Sequence, residues 1–329
     1  MAEDSNPIAC VCLTGPTATG KTELALKLAK SVPIEVVSMD SALVYRGMDI
    51  GTAKPSLTVR EDVPHHLIDI LDPGESYSAG RFVRDASRAI REIAAGGRVP
   101  VIVGGTHLYL RALRDGLAEL PRADPALRER LDAEAAASGW PALHTRLSGV
   151  DPEAAHRIAP SDGQRIQRAL EVFELTGEPL SAQQRHSPPA ADLAIRTVAL
   201  MPDDRALLAE RIERRFDVMV AKGFVEEVER LRARDDLTPE TPSMRAVGYR
   251  QLWRYLDGDY DWETAKNKAL AATRQLAKRQ MTALRSDVHA ERFRPGDSGL
   301  VGALERRVQQ RHRRLGAKSA GNGSWPPGF

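Results

Sequence analysis

Gly15-Pro16-Thr17-Ala18-Thr19-Gly20-Lys21-Thr22 is the stretch that decides the fold of this chain. It fits the pattern G-x-x-x-x-G-K-[ST] of a phosphate-binding loop. The apolar run 8–13 before it has the composition of a buried parallel strand. After it, residues 23–30 have helical spacing, with Leu24 and Leu28 one turn apart. A strand, this loop and a helix in that order predict an α/β fold with a parallel sheet.

The chemistry of the loop indicates what each residue contacts. The glycines let successive backbone N–H groups surround anionic oxygens, and the helix N-terminus adds partial positive charge. We expect Lys21 to supply a full positive charge to the outer phosphate and Thr22 to offer its hydroxyl to Mg²⁺. The motif is typical of nucleotide-binding proteins. It predicts a diphosphate or triphosphate ligand with magnesium, but it does not identify the ligand as ATP.

Composition narrows the class of protein. A chain of 329 residues has room for one large domain with an insertion, or for two domains. The formal net charge is only +2, so any affinity for nucleic acid must come from local patches. The two cysteines have neither disulfide nor zinc-site spacing. Without a signal peptide, a long apolar run or a coiled-coil stripe, the chain is expected to be a cytoplasmic monomer with no membrane segment.

Two further predicted strands end in residues that bear on the site. Strand 34–39 ends at Asp40, and strand 99–103 ends at Gly104-Gly105-Thr106. Ligands gather at the carboxyl ends of parallel strands, so Asp40 is either a ligand-side acid or a helix N-cap, and position alone does not separate the two. A phosphate-loop ATPase usually carries an acid at such a strand end. The glycines count against a motor or switch ATPase and permit close approach by a ligand or backbone.

The pattern becomes entirely helical between residues 120 and 189. Residues 195–201 resemble a strand that returns to the sheet. We therefore predict a P-loop NTPase-like core formed by 1–119 and 190–290, with an all-helical insertion at 120–189. The composition of 303–329 predicts a disordered tail.

A basic helix is predicted over residues 265–285, which contain six lysines or arginines and no acid. Its apolar stripe is Leu270, Ala277, Met281 and Leu284, and a strip beside it carries Arg274, Lys278 and Arg285. A helix that packs on one side and carries positive charge along its flank is suited to bind the phosphate backbone of a nucleic acid. The alternative is a soluble helix whose counter-charges lie on neighbouring elements.

Six collinear stretches of the chain form a recognisable set. They are the loop at 15–22, DSALVYRGMDIGTAKP at 40–55, GGTHLY at 104–109, QRIQRALE at 164–171, RAVGYRQ at 245–251 and ATRQLAKRQ at 272–280. Together they resemble one family, the tRNA dimethylallyltransferases. The resemblance covers roughly residues 8 to 286 and is highly specific as a set, although the phosphate loop alone is shared with many proteins.

The resemblance implies a reaction. A dimethylallyl group moves from dimethylallyl diphosphate to N6 of adenosine 37, beside the tRNA anticodon, and diphosphate leaves. The phosphate loop, Gly15 to Thr22, then grips the leaving diphosphate, and no hydrolytic carboxylate is needed. The implied catalytic residues are Lys21, Arg215 as an additional diphosphate ligand, Asp40 as the general base and Thr106 beside the reacting adenine.

The resemblance also implies where tRNA binds. RNA enters one end of a channel and the diphosphate substrate enters the other, and the helical insertion around Arg128 embraces the anticodon stem-loop. The implied tRNA-binding residues are Asp40, Ser41, Ala42, Leu43, Thr106, Arg128, Gln164, Arg165, Ile166, Gln167, Arg168, Arg245, Gly248, Tyr249, Arg250, Arg274, Gln275, Lys278 and Arg279, within stretches that extend to Gln280.

Other functions would use the same loop. A small-molecule kinase would take ATP as donor, but it would not need the basic helix at 265–285. A prenyltransferase that modifies free adenylate would not need an RNA-binding insertion. A non-catalytic RNA-binding module would leave the phosphate loop and Asp40 without a purpose.

Overall fold

The computed structural model describes residues 7–118, 120–184, 192–297 and 299–306, and these form two compact units. The larger unit joins Met1–Arg114 to Asp192–Phe329, and the smaller unit is Asp115–Ala191. The predicted insertion, 120–189, falls inside this smaller unit. Within the described ranges, no helix combines the length and the apolar character needed to cross a membrane.

A six-stranded sheet forms the centre of the larger unit, and every strand pair described is parallel. The strand order is β3-β2-β4-β1-β5-β6. The strands are β1 (Ile8–Thr14), β2 (Ile34–Met39), β3 (His65–His66), β4 (Val99–Gly104), β5 (Leu193–Leu200) and β6 (Ala290–Phe293). Strand β5 pairs with β1, which confirms that the chain returns to the sheet after the helical segment.

Helices surround the sheet and form the smaller unit. The larger unit contains α1 (Lys21–Ala29), α2 (Leu57–Asp62), α3 (Ala79–Ala95), α4 (His107–Asp115), α10 (Arg205–Ala221), α11 (Phe224–Arg232), α12 (Tyr249–Leu256) and α13 (Trp262–Ser286). The smaller unit contains α5 (Pro125–Ser138), α6 (Trp140–Val150), α7 (Pro152–Arg157), α8 (Gly163–Thr176) and α9 (Leu180–Gln184).

Both faces of the sheet are covered, as expected for parallel strands. Val11 and Leu13 of β1 pack with α1 on one face. Cys10 and Cys12 of the same strand point to the other face, where they pack with α3 and α4 and are fully buried. The alternation along β1 explains why the whole run is apolar. The predicted α/β class and phosphate-loop fold are confirmed.

The predicted start of the disordered tail at residue 303 is wrong for its first four residues. Residues 300–306 are helical, and Leu300 and Leu304 are buried against the α1 side of the sheet. Ser31 Oγ also donates a hydrogen bond to Glu305 Oε1 at 2.6 Å. One apolar helical face explains this packing, and average composition concealed it. Residues 307–329 of the predicted tail lie outside the described residues.

Replacing Gly104 with alanine should destabilise the sheet. A Cβ at Gly104 would lie 2.0 Å from Met39 O, which belongs to the paired strand β2. We expect a loss of about 1–3 kcal/mol in the free energy of unfolding, as for other overpacked sites. Urea denaturation measures it. Gly96→Ala is the control, because its Cβ would meet ordinary contacts of 3.4 Å or longer. Equal stability of the two variants would contradict the prediction.

Candidate active site

A cavity of about 350 Å³ opens where β1, β2 and β4 end. The phosphate loop forms one wall, and Asp40, Gly104 and Gly105 form another. Further lining residues come from the segment 43–68 and from helices α10 and α13; these are Leu43, Thr52, Ala53, Pro55, His65, Ile68, Arg215, Leu276 and Gln280, and Glu23, Ala25, Val36, Ser38 and Val103 complete the lining. The structure therefore brings the predicted phosphate loop, Asp40 and Arg215 to one site.

The phosphate loop curls as the motif predicts. Ala18 and Gly20 both have positive φ, 64° and 84°, and Gly20 immediately precedes α1. Thr19 Oγ1 donates a hydrogen bond to Pro16 O at 2.8 Å, which closes the loop on itself. The N-terminus of α1 consequently faces the cavity with its partial positive charge.

Lys21 is the cation at the centre of the loop. Its Nζ donates to Gly15 O at 2.9 Å and to Pro16 O at 2.8 Å. Burial lowers the pKa of Lys21 to about 8, while the Asp40 charge acts in the opposite direction and Arg215 lowers the pKa further. A bound anion would favour the charged ammonium, so this lysine is prepared for an anionic ligand.

Arg215 of α10 is the second cation in the cavity wall. Its Nη2 donates to Thr52 O at 3.3 Å. Burial lowers the pKa of Arg215 and the Asp40 charge raises it, but an arginine stays charged at any physiological pH. Glu23 also lines the cavity and forms an ion pair with Lys27 at 2.8 Å. Because Lys21 and Arg215 both line the cavity with positive charge, they are placed to bind a polyanion.

Asp40 follows β2 directly and lines the cavity. Its Oδ1 accepts the Ala42 N–H at 2.8 Å, which forms a side-chain turn. The next helix, α2, begins only at Leu57, so the helix N-cap alternative for Asp40 is wrong. The acid belongs to the ligand edge of the sheet.

Thr106 follows β4 and joins the two strand-end turns. Its Oγ1 accepts the Ser41 N–H at 3.2 Å, and its own N–H donates to Met39 O at 3.3 Å. Gly104 lies against the Met39 backbone, as the close-approach interpretation of the glycines predicted. Thr106 consequently lies near Asp40 although 65 residues separate Ser41 from Thr106 in the chain.

Glu227 of α11 is a site-supporting residue that sequence reasoning missed. It is 2% exposed and accepts three backbone N–H groups, from Asp49, Ile50 and Gly51, at 2.9, 2.8 and 3.1 Å. Helix α11 contains several acidic and basic residues, a composition typical of a solvent-exposed face. The sequence therefore gives no signal that Glu227 is buried. The carboxylate holds the loop that carries Thr52 and Ala53 into the cavity wall.

Tyr249 was predicted to contact tRNA, and its burial makes that prediction wrong for the side chain. It is fully buried, and its hydroxyl donates to Glu227 Oε1 at 2.5 Å. The neighbouring Gly248 is buried too, whereas Arg245 and Arg250 are exposed. Only the two arginines of this predicted stretch present their side chains to solvent.

Helix α13 has the predicted two faces. Leu270, Ala277 and Met281 are buried, while Arg274, Gln275, Lys278 and Arg279 are exposed. Within the described ranges, no acidic side chain forms an ion pair with Arg274, Lys278 or Arg279. Lys266 of the same helix pairs with Asp217 of α10 at 2.8 Å, so the alternative of neighbouring counter-charges holds for that lysine and not for these three side chains. Gln280 was predicted to lie within an RNA-contacting stretch, but it faces the cavity instead.

In the smaller unit, the predicted RNA residues differ in exposure. Gln164 and Arg165 are exposed, although Arg165 pairs with Asp162 at 2.8 Å. Ile166 is fully buried in the helical core, so its prediction as an RNA contact is wrong for the side chain.

Three other predicted residues of this unit have polar partners inside it: Arg128 and Gln167 join α5 to α8, whereas Arg168 pairs within α8. Arg128 and Arg168 both pair with the fully buried Glu171, at 2.8 and 2.6 Å. Gln167 Nε2 donates to Asp132 Oδ1 at 2.7 Å. Their role in binding RNA stays a prediction.

Comparisons with known proteins agree on one family. Residues 43–287 match the sequence model of the family described as IPP transferase, and residues 8–62 match that described as isopentenyl transferase. A tRNA dimethylallyltransferase from Alkalilimnicola ehrlichii is 62% identical over 84% of this chain and 87% of its own length. One from Burkholderia cenocepacia is 58% identical over 87% of this chain and 89% of its own length.

Solved structures show the same likeness. A tRNA isopentenylpyrophosphate transferase from Bacillus halodurans aligns with a TM-score of 0.68 and 36% identity, over 95% of this chain and 99% of its own. A eukaryotic dimethylallyltransferase described as acting on tRNA aligns with a TM-score of 0.75 over 94% of this chain and 80% of its own. At 24% identity, that second likeness concerns the fold alone.

Inorganic diphosphate should bind more weakly as the pH rises above about 8, because Lys21 then loses the proton that gives it charge. Without divalent cations, we expect the affinity to fall by up to about tenfold per pH unit above that pKa. Isothermal calorimetry measures it. Lys21→Arg is the control, since its guanidinium stays charged and the titration of diphosphate itself affects both proteins equally. Parallel pH profiles for the two proteins would contradict the prediction.

Proposed function

Because the chain belongs to the IPP transferase family and is a tRNA prenyltransferase, we propose that it transfers a dimethylallyl group from dimethylallyl diphosphate to N6 of adenosine 37, beside the anticodon. Diphosphate leaves, and the product is N6-dimethylallyladenosine. The observation that carries the proposal is one cavity that joins a cationic phosphate loop to Asp40. Strand β4 offers no acid there for hydrolysis, because it ends at Gly104 and Gly105 follows it.

The phosphate-loop end of the cavity suits a leaving diphosphate. Lys21 and Arg215 would bind its oxygens together with the loop amides. The negative charge on the departing oxygen grows as the C–O bond breaks, and cations already in place stabilise it at no cost of reorganisation. The two side chains thus favour departure of diphosphate from the dimethylallyl carbon.

Magnesium fits the residues present as a partner of the diphosphate. Thr22 is exposed in the first turn of α1 and lines the cavity. In the part of the chain that the structure describes, no cluster of three or more His, Cys, Asp or Glu side chains is grouped to hold a metal. A Mg²⁺ ion bound through the Thr22 hydroxyl, phosphate oxygens and waters agrees with this donor set. It would add positive charge to the leaving group.

In the same cavity, Asp40 is proposed to act as the general base. The N6 amine of adenine is a weak nucleophile, since its lone pair is delocalised into the ring. As the new C–N bond forms, the Asp40 carboxylate takes the N6 proton. Thr106 would lie beside the adenine, on the turn that its hydroxyl joins to Ser41. Electrons thus move from N6 to carbon and from carbon to the departing oxygen.

An adenine stacked in an anticodon loop cannot reach this cavity, so the nucleotide must be flipped out of the stack. We propose that Ser41, Ala42 and Leu43 line the RNA side, and that the exposed face of α13 contacts the phosphate backbone. Arg245 and Arg250, and in the insertion Arg128, Gln164, Arg165, Gln167 and Arg168, are further proposed RNA contacts. We also propose that the protein acts as a cytoplasmic monomer.

A paired donor assay tests this function. The protein and Mg²⁺ are incubated with labelled dimethylallyl diphosphate or γ-labelled ATP, each with unmodified tRNA, free AMP or no acceptor. We expect label to pass only from dimethylallyl diphosphate into tRNA. Transfer into AMP would instead indicate a free-nucleotide prenyltransferase. Transfer only from ATP to a small molecule would indicate a kinase and overturn the proposal.

Asp40→Asn should keep tRNA binding and nearly abolish transfer. The amide oxygen can still accept the Ala42 N–H, so the turn is preserved, but the side chain no longer takes a proton. We expect the single-turnover rate to fall by about 10²–10⁴, as for loss of a general base. Asp62→Asn, at the exposed end of α2, is the control. Transfer at a near wild-type rate would rule out the base assignment.

A further inference from the structure

Helix α13 places one polar side chain in the candidate active site. Ala277 and Met281 anchor the inner face of the helix in the core. Gln280, between them in the chain, is half-buried and lines the cavity. The same helix presents its basic side chains to solvent, so Gln280 has a different environment from the residues predicted to bind RNA.

The Gln280 amide connects two loops that are distant in the chain. Its Oε1 accepts the N–H of Thr17, in the phosphate loop, at 3.0 Å. Its Nε2 donates to Gly105 O, in the turn after β4, at 2.9 Å. One side chain therefore uses both its acceptor and its donor on backbone groups that face the same cavity.

The Gln280 amide occupies the space beside Gly105, so a side chain at 105 would displace it. A Cβ at Gly105 would lie 2.4 Å from Gln280 Nε2. The sequence indicated that the glycines at the end of β4 permit a close approach by another group. Part of that approach is made by the Gln280 side chain of α13.

We propose that Gln280 is a positioning residue that sets the distance between the leaving diphosphate and the nucleophile. The inference rests on the proposed function. Thr17 belongs to the loop that would hold the diphosphate, and Gly105 is adjacent to Thr106, which is tied to Ser41 beside Asp40. Removing the bridge frees the two halves to shift relative to each other. A misplacement of about 1 Å can cost roughly 10²-fold in rate.

Two variants test the bridge. Gln280→Met has a similar length and makes neither hydrogen bond, so we expect the single-turnover rate to fall by about 10–10²-fold. KM for tRNA and for dimethylallyl diphosphate should change by less than about threefold, because both hydrogen bonds of the Gln280 amide go to backbone groups of the protein rather than to a substrate. A KM increase that accounted for the whole loss would overturn the proposal, as would an unchanged rate.

Gln280→Glu adds a signature that a merely structural role would not produce. The ionised carboxylate still accepts the Thr17 N–H but repels Gly105 O, while the protonated carboxyl can donate to that oxygen. The rate relative to wild type at the same pH should therefore recover as the pH is lowered from about 6 to about 4, through the usual Glu pKa of about 4.3. A constant ratio would contradict the bridge, and this test applies even if Gln280→Met folds poorly.

Glu92→Met is the matched control. Glu92 is an exposed side chain of α3 and does not line the cavity. It should retain wild-type kinetics, and an equal loss in this variant would overturn the proposal. A wild-type protein inactive in the donor assay would refute the proposed function instead, so the two failures are distinguishable.

Discussion

Desolvation of the Lys21 ammonium is the constraint on which the rest of this site depends. A buried cation destabilises the protein unless polar groups or charges compensate it. Here the compensation comes from two loop carbonyls and from the charge of Asp40, while Arg215 adds a second positive charge. An acid at the end of β4 would neutralise this excess of positive charge. The glycines there preserve the field that a departing anion requires.

The loops around these charges are held mainly by bonds to backbone atoms. Gln280 bonds to Thr17 and Gly105, Glu227 holds the loop at 49–51, and Thr106 accepts the Ser41 amide. Because these bonds restrain main-chain N–H and C=O groups, they fix the conformation of the loops directly. The reacting groups are thereby carried on loops whose positions are set by a rigid sheet and by α13.

Sequence reasoning succeeded where the signal is local. The phosphate loop, strand β2 and the apolar stripe of α13 are each defined by residues within a few turns or one strand. It failed where partners are far apart, since 263 residues separate Gln280 from Thr17 and 178 separate Glu227 from Asp49. Tyr249 and Ile166 were included among the predicted RNA contacts because they lie in stretches that match the family, and the burial of their side chains shows that not every residue of such a stretch faces solvent.

The placement of the cysteines has a practical consequence for labelling. The chain contains only Cys10 and Cys12, and both are fully buried between β1 and the α3–α4 side of the sheet. Burial also raises the pKa of the Cys12 thiol, which keeps it protonated and unreactive. A single cysteine introduced on the exposed face of α13 would accept a fluorophore or spin label selectively. The native protein thus already provides the unreactive background that distance measurements require.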